Sequence, residues 1–464
     1  MAQSIGESGI KRFLKNSGVF FLGSVVSKAA MLMMLPLYTY YVDSADLGYY
    51  DLSTTCITLV GTSLFLEIWT VALRHMYSGS NGGPDVDGIR SCSALFAIST
   101  FVYTAVGIVA WRLFDVRDVG FVFAFGLAGN LANYTSFLAR GKGENVAFAV
   151  SGVMSTGIII GVNVIALVFL RMPYESLYVA SICGFVIQSV FLSVKLDLFP
   201  LFYSGLPSKR SLKRIFFFAL PLCVNSISFW LLTSFGKVIL NIAMGDSANG
   251  IYAIGSKFSV ALALVTSCFT YAWQDMAFSH GVKEGSDSFY TDATFLYSIF
   301  LCVGAAILLP LIYLAFPLLV GSDYAFALDT IPMFIAVAVL SALSTFVGNI
   351  FYSVNRTKQV FYSAVLAAAV NVLLCRLFVD SFGIDGVNIS ICLGFAVGIV
   401  YRFILLRKPA KLRFKLQSLL GLFPLGMSFV VFIMGDWLLN LIYLSILLVA
   451  AGTVFLLYCR KRRT

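Results

Sequence analysis

Stretches of roughly twenty apolar residues recur from one end of this chain to the other, each long enough to cross the hydrocarbon core of a bilayer as a helix. That recurrence limits the fold more than any single motif does. Inside a bilayer every backbone polar group must find a partner within the protein, so spanning segments are helices or closed barrels. Barrel strands are about ten residues long and alternate in polarity. The runs here are about twice that length and continuously apolar, so the expected fold class is an all-α polytopic membrane protein. Composition agrees: 59% of the 464 residues are hydrophobic and 12% are charged, where soluble domains carry about 25% charged residues. The opening segment MAQSIGESGIKRFLKN is polar and short. The run after it is long enough to persist as a span, so no cleavable signal peptide is expected.

Fourteen spans are expected, at 18–42, 48–72, 91–111, 120–138, 147–170, 176–194, 215–242, 248–276, 293–319, 328–352, 360–379, 387–406, 417–434 and 438–458. Placing the N-terminus inside puts 25 lysines and arginines on the inner side and leaves four outside, Arg112, Arg117, Arg171 and Arg376. The other three, Lys28, Lys237 and Lys257, fall within spans. Cations concentrate on the cytoplasmic side of membrane proteins, so the asymmetry predicts a multi-pass protein with both termini cytoplasmic. It also accounts for the net charge of +10. No contiguous soluble basic surface is left for nucleic acid. The nine cysteines lie singly in or beside apolar runs with no CxxC pair, which suits small apolar filler rather than disulfides or zinc.

The chain repeats itself. SADLGYYDLS (44–53) follows the first span and DSANGIYAIG (246–255) follows the seventh, 202 residues later. Each is a short polar turn, a glycine (Gly48, Gly250) and a tyrosine two residues on (Tyr50, Tyr252). Six spans separate the copies, so the halves share one orientation and are expected to be related by an axis along the membrane normal. The expected organisation is an N-terminal six-helix lobe over 1–197, a cytoplasmic linker over 198–214, a second six-helix lobe over 215–415, and two extra helices with a basic tail over 416–464. The two six-helix bundles would enclose a central cavity. The linker, LFPLFYSGLPSKRSLKR, carries Pro200, Gly205, Pro207 and a basic run, as linkers do.

Polar side chains within spans mark what that cavity would contain. At helical spacing, span 7 carries Ser226, Trp230, Thr233, Ser234, Lys237 and Asn241 on one face. Span 2 carries two stripes: Asp51, Thr55, Thr58 and Thr62, and then Ser63, Glu67, Thr70 and Arg74. Span 8 offers Lys257, Ser267, Tyr271 and Gln274, and span 1 offers Lys28 with Ser24 one turn earlier. An ionised side chain at mid-bilayer costs about 2.5–3.5 kcal/mol on insertion scales, so these faces are expected to meet protein or water. The candidate substrate-binding residues are Lys28, Lys257, Lys237, Trp230, Asn241, Tyr271 and Gln274. Lys237 lies about 10 Å from the outer surface and has the alternative of snorkelling to it. Glu67 is either a structural tie, paired with Arg74 or a buried lysine, or a titrating coupling group. The tyrosines at 38, 40, 41, 49 and 50 fit an interfacial aromatic belt, with sugar stacking as the alternative. No paired-carboxylate, P-loop or metal-ligand pattern occurs, so no catalytic residue is expected.

Two stretches carry a resemblance. FLKNSGVFFLGSVVSKAAMLMMLPLYTYYVDSADLGYYDLS (13–53) resembles the first two helices of the polysaccharide-transporter branch of the multidrug/oligosaccharidyl-lipid/polysaccharide exporter superfamily. An asparagine precedes the first span, Pro36-Leu37-Tyr38 stands near its outer end, and Gly-x-Tyr follows a short turn. NRTKQVFYSAVLAAAVNVLLCRLFVDSFGIDGVNIS (355–390) is similar to that family's tenth-to-twelfth helix region, with Asn371-Val372 in the span and Phe382-Gly383-Ile384-Asp385-Gly386 in the outer turn.

The resemblance implies a flippase of the bacterial cytoplasmic membrane. Such a protein moves a polyprenyl-pyrophosphate-linked oligosaccharide, a polysaccharide or teichoic-type repeat unit, to the outer leaflet by alternating access. Lysines in the cavity would pair with the diphosphate, whose hydration is lost on entry. Spans 13 and 14 are candidates to meet the lipid tail. The cell-wall-precursor flippases favour arginines where this chain offers lysines, which are point charges without a bidentate fork. The expectation includes membrane lipids and the lipid-linked oligosaccharide as partners, and a polysaccharide polymerase and glycosyltransferases as candidate neighbours. It includes a monomer, no cofactor, and H+ or Na+ left open as a coupling ion. The alternatives are a multidrug exporter of the same superfamily, which would favour acidic cavity residues, a gated channel, and a membrane-embedded sugar polymerase or acyltransferase. A polymerase would need a large outer loop and an acyltransferase an intramembrane histidine. Every outer connection here is short, and the two histidines, His75 and His280, fall at the inner face.

Overall fold

The structure, a computed structural model, describes residues 32–76, 85–113, 117–198, 207–280, 288–354 and 356–461. Most of the expected first span (18–31), and 199–206 of the expected linker, lie outside them. The helices are α1 (Leu35–Tyr41), α2 (Ser44–Phe65), α3 (Ile68–His75), α4 (Val86–Leu113), α5 (Val119–Gly141), α6 (Asn145–Asn163, continued by a π-helical turn Val164–Phe169), α7 (Ser176–Lys195), α8 (Lys209–Thr233), α9 (Phe235–Met244), α10 (Asp246–His280), α11 (Phe289–Leu319), α12 (Ala327–Ser353), α13 (Thr357–Leu406), α14 (Leu422–Met434) and α15 (Trp437–Lys461). Among the described residues ten helical stretches are long and apolar enough to cross a membrane, counting the 3-10 helix Leu416–Gly421 together with α14, and eleven if the bent pair α2–α3 counts as one more. The chain is therefore an all-α, multi-pass membrane protein.

Three features depart from uninterrupted spans. The expected second span is α2 and α3, bent by 48° where Leu66 and Glu67 take left-handed φ values of 54° and 55°. The expected seventh span is α8 and α9, parted at Ser234 (φ −125°, ψ −19°). Neither break has a proline or glycine at it, so hydropathy gives no sign of either. The third is α13, fifty residues of helix interrupted at Gly383 (φ 56°, ψ −129°). A straight helix of that length would run about 75 Å, more than twice the hydrocarbon thickness. It doubles back instead. The Ser390 hydroxyl donates to Asn371 Oδ1 at 2.8 Å, and Arg402 Nε donates to Ser363 Oγ at 2.8 Å, so the two arms are antiparallel and match the spans expected at 360–379 and 387–406.

The chain forms two compact units: Met1–Val42 with Tyr49–Trp230, and Asp43–Gly48 with Leu231–Thr464. The division falls inside α8, between Trp230 and Leu231.

In the first unit α7 packs against α5 and α6, and α3 against α4 and α5. Its interior is aromatic. Phe96 stacks on Tyr134 with centroids 4.5 Å apart, and Phe65 lies beside both Phe96 and Tyr103. A buried phenol needs a partner in a dry interior: Tyr134 Oη meets Ser93 Oγ at 2.8 Å, and Tyr103 donates to the Phe123 carbonyl at 3.1 Å. Where α4 begins, Asp85 gathers His75 Nδ1 (2.9 Å), the Gly88 amide (3.1 Å) and Arg214 Nη2 (3.6 Å).

In the second unit α12 packs on α10 and α13, α9 on α13, and α14 and α15 on α11. Tyr252 meets Phe334 edge-on at 4.7 Å in a core that includes Leu232, Leu240, Val387 and Ile391. Trp273 and Tyr297 both stack on Phe346 at 4.2 Å, and the Trp273 indole donates to the Phe346 carbonyl. The last two helices are tied on by Ser428 donating to the Ala306 carbonyl (2.7 Å) and Tyr313 donating to the Gly435 carbonyl (2.5 Å).

The repeat meets itself in this second unit. A Cβ on Gly48 would lie 1.8 Å from the Asp246 carbonyl oxygen, and one on Gly250 would lie 2.0 Å from the Ser44 carbonyl oxygen. Only residues without a side chain allow these backbones so close.

Candidate functional site

Two sites follow from the two helix breaks, one in each unit.

In the first unit, the polar face of α8 meets the polar stripes of α2 and α3. Trp230 Nε1 donates to the Thr55 carbonyl at 3.1 Å, Cys223 lies against the carbonyls of Thr62 and Ser63, and Ser226 donates to Glu67 Oε1 at 2.7 Å. Most threonine hydroxyls of the α2 stripe bond back to their own helix, as Thr55 does to Asp51 O and Thr58 to Thr54 O. That satisfies them without water. Glu67 stands at the bend itself, as the residue preceding α3. Its second oxygen accepts from Thr70 Oγ1 at 3.1 Å, and its carbonyl accepts from the Thr70 amide at 2.9 Å. A carboxylate there faces the positive end of the α3 dipole. The Glu67 side chain is half-buried. Its side-chain hydrogen-bond partners are hydroxyls, where the sequence offered Arg74 or a buried lysine. The Arg74 guanidinium lies over the Phe218 ring, 4.3 Å from its centroid.

In the second unit, the break at Ser234 frees carbonyls in the last turn of α8, which a membrane interior leaves costly unless partnered. Asn371, fully buried on α13, supplies the partner. Its Nδ2 reaches the carbonyls of both Leu231 and Leu232 at 3.0 Å, while its Oδ1 is held by Ser390. Gly236 lets α9 approach α13, since a Cβ there would lie 2.2 Å from Val387 Cγ1. Lys237 follows one residue later, half-buried in the first turn of α9. An ammonium at the positive end of a helix concentrates positive potential. Lys257 is also half-buried, on α10, about 17 Å along that helix from its start at Asp246. Asn241 is engaged locally: its Nδ2 donates to Asp246 Oδ1 at 2.5 Å across the α9–α10 turn.

The sequence-derived set thus divides. Glu67, Arg74 and Trp230 belong to the first unit; Lys237, Asn241 and Lys257 belong to the second. Lys28 lies outside the described residues. Tyr271 and Gln274 have their backbone in α10, but their side chains lie outside the described residues. Ser226 and Thr70, polar stripe residues of the sequence, are the partners of Glu67. Two further residues stand out in the structure and are not among the sequence-derived candidates. Asn371 enters the sequence reading only through the resemblance. Asn249, in the repeated motif, is fully buried, and neither amide atom has a partner in the structure. An asparagine immediately before the close-packed Gly250 was the available signal for the second. Among the described residues no group of three or more histidine, cysteine or acidic side chains is placed to hold a metal.

No family model matches the chain, and no curated protein matches it. Solved structures do. The chain is similar to the structure described as lipid II flippase MurJ, inward closed conformation, at a TM-score of 0.63 and 14% identity, covering 94% of this chain and 98% of that one. It is also similar to an outward-facing multidrug resistance MATE family transporter of the MOP superfamily, at a TM-score of 0.58 and 17% identity, covering 86% and 96%. The inward-facing form of such a transporter matches at 0.58 and 13%, covering 87% and 98%. Identities this low establish a shared fold. Over nearly its whole length, the chain adopts the architecture of these flippase and MATE transporter structures.

Proposed function

We propose that the chain is a transporter, and specifically a flippase that carries a polyprenyl-diphosphate-linked oligosaccharide from the cytoplasmic to the outer leaflet by alternating access. The observation that carries this reading is the sign of the charge held at membrane depth. Lys237 and Lys257 are half-buried in apolar helices of a fold shared with a lipid flippase, and Lys237 adds to the positive end of a helix begun by a break. Ammonium groups so placed attract a diphosphate, which loses hydration on leaving water. Half-helices whose N-termini face anionic cargo are a recurring device of transporters. Glu67, held by two hydroxyls at a bend, is the candidate coupling carboxylate for H+ or Na+. The distribution of cations supports a topology with both termini in the cytoplasm, in a bacterial inner membrane.

The second reading is multidrug export, which the likeness to MATE structures favours. Cationic drugs would require acidic groups at the depth where lysines stand, so the first reading is preferred. The test is transport in proteoliposomes. Purified protein should move a labelled polyprenyl-diphosphate oligosaccharide across the bilayer and leave a cationic dye untransported. Dye transport without lipid movement would favour the second reading.

A further inference from the structure

The connection between α13 and α14 holds five cations in nine residues, Arg407, Lys408, Lys411, Arg413 and Lys415, and no acid. Arg413 and Lys415 line a cleft of about 300 Å³ in the second unit. Its walls come from α11 (Phe295), α12 (Leu343), the second arm of α13 (Val400, Phe403) and the connection itself (Phe414). Two of its hydroxyls are spent locally, Thr294 on the Tyr290 carbonyl and Ser298 on the Thr294 carbonyl, each at 2.7 Å. The slot is therefore mostly apolar along its walls, with two cations, Arg413 and Lys415, in its lining.

The connection is fixed in place. The Arg413 amide donates to Thr291 Oγ1 at 3.1 Å, Leu412 is buried, and Lys415 Nζ is paired with Asp292. Asp292 thus takes up one of the charges, and Arg413, which is exposed, is the other cation lining the cleft. Next to these cations Phe414, Leu416, Leu420 and Phe423 are 57–75% exposed. Large apolar side chains interleaved with cations describe a segment lying in the headgroup boundary of a bilayer. Clustered lysines and arginines beside a membrane span attract anionic lipid.

We propose that this slot holds one anionic phospholipid, with an acyl chain along Phe295, Val400 and Phe403 and its phosphate at Arg413. Charge selects the headgroup, and the apolar walls select a lipid over a free anion, which would leave them unfilled. The bound lipid fixes the α13–α14 connection to the membrane surface and is distinct from transported cargo.

The test uses full-length protein with Phe414→Trp as a reporter, in cargo-free vesicles of brominated phosphatidylglycerol or brominated phosphatidylcholine. The signal of the five native tryptophans is subtracted from a parallel wild-type sample. The expected result is quenching by the anionic lipid several-fold stronger than by the zwitterionic one, a preference that Arg413→Gln abolishes. Millimolar inorganic phosphate should leave the quenching unchanged. Equal quenching by the two lipids, a preference indifferent to Arg413→Gln, or relief by phosphate would each overturn the proposal. Mass spectrometry of wild-type protein extracted from membranes gives a reading that needs no reporter. Anionic phospholipid should be retained by the wild type and lost from Arg413→Gln, and retention of zwitterionic lipid alone would contradict it. Flipping by these variants is a separate measurement, so failure here leaves the transport reading to its own test.

Discussion

Gly48 and Gly250, 202 positions apart, each press against the backbone of the other's helix: Gly48 on Asp246 O and Gly250 on Ser44 O. The carbonyl partners are also 202 residues apart, so the contact is reciprocal, as a local two-fold axis requires. Glycine at both positions follows from that closeness. Gly48→Ala or Gly250→Ala should lower the thermal unfolding midpoint, by an overpacking cost of about 1–3 kcal/mol. Gly152→Ala, where a Cβ meets nothing within 4 Å, should leave it unchanged or raise it slightly. Equal midpoints for all three would remove the packing account of the repeat.

Asn371 holds two carbonyls released by the break at Ser234. Asn371→Leu keeps the bulk and removes the donor, leaving those carbonyls unpartnered at about 1–3 kcal/mol. Ser390→Ala should cost less, and the double variant should show coupling, since the two side chains share a hydrogen bond. Strictly additive midpoint shifts would mean the network acts as separate contacts.

The Glu67 carboxylate stands at the bend of the first unit. Ser226→Ala should destabilise by about 1.5–3 kcal/mol, the range for a hydrogen bond to a charged group. Glu67→Gln separates the two roles weighed for this residue. A purely structural tie predicts a modest fall in midpoint with the ion dependence of transport intact. A coupling role predicts a folded protein whose transport no longer responds to an H+ or Na+ gradient.

Asp85 gives a pH signature. Burial pushes its carboxyl up, but the Gly88 amide, the His75 ring and the Arg214 guanidinium outweigh this and hold it below its ordinary value. A carboxylate lowered on folding contributes stability that is complete above its unfolded value of about 4 and is lost as pH falls through the folded value. Wild type should therefore exceed Asp85→Asn in unfolding midpoint near neutrality, and the gap should close in acid as pH falls through the lowered folded value. A gap independent of pH would assign the effect to packing.

The sequence made the helical class legible because membrane spanning leaves few alternatives, and it made the repeat legible because a backbone crossing accepts glycine alone. The doubling back at Gly383 was legible for the same reason: two apolar arms flank a turn containing a residue that takes positive φ. The bends at Leu66–Glu67 and Ser234 were not. A left-handed leucine and glutamate carry no local signature, and what holds them, Ser226 and Asn371, lies about 140–160 residues away in sequence. Polar spacing put Ser226 and Trp230 on one face of the seventh span and Thr55 and Glu67 on separate stripes of the second; that these faces meet is seen only in the structure. Asn241, a substrate candidate from the same spacing, donates to Asp246 Oδ1.

The central claim is that cations held at membrane depth carry a lipid-linked diphosphate. The direct measurement is flipping of a defined polyprenyl-diphosphate oligosaccharide in proteoliposomes by wild type, Lys257→Ala and Lys257→Arg at matched protein content. The account predicts transport by wild type, a large loss in Lys257→Ala, and substantial recovery in Lys257→Arg because the charge returns. Lys257→Ala flipping at the wild-type rate would contradict it.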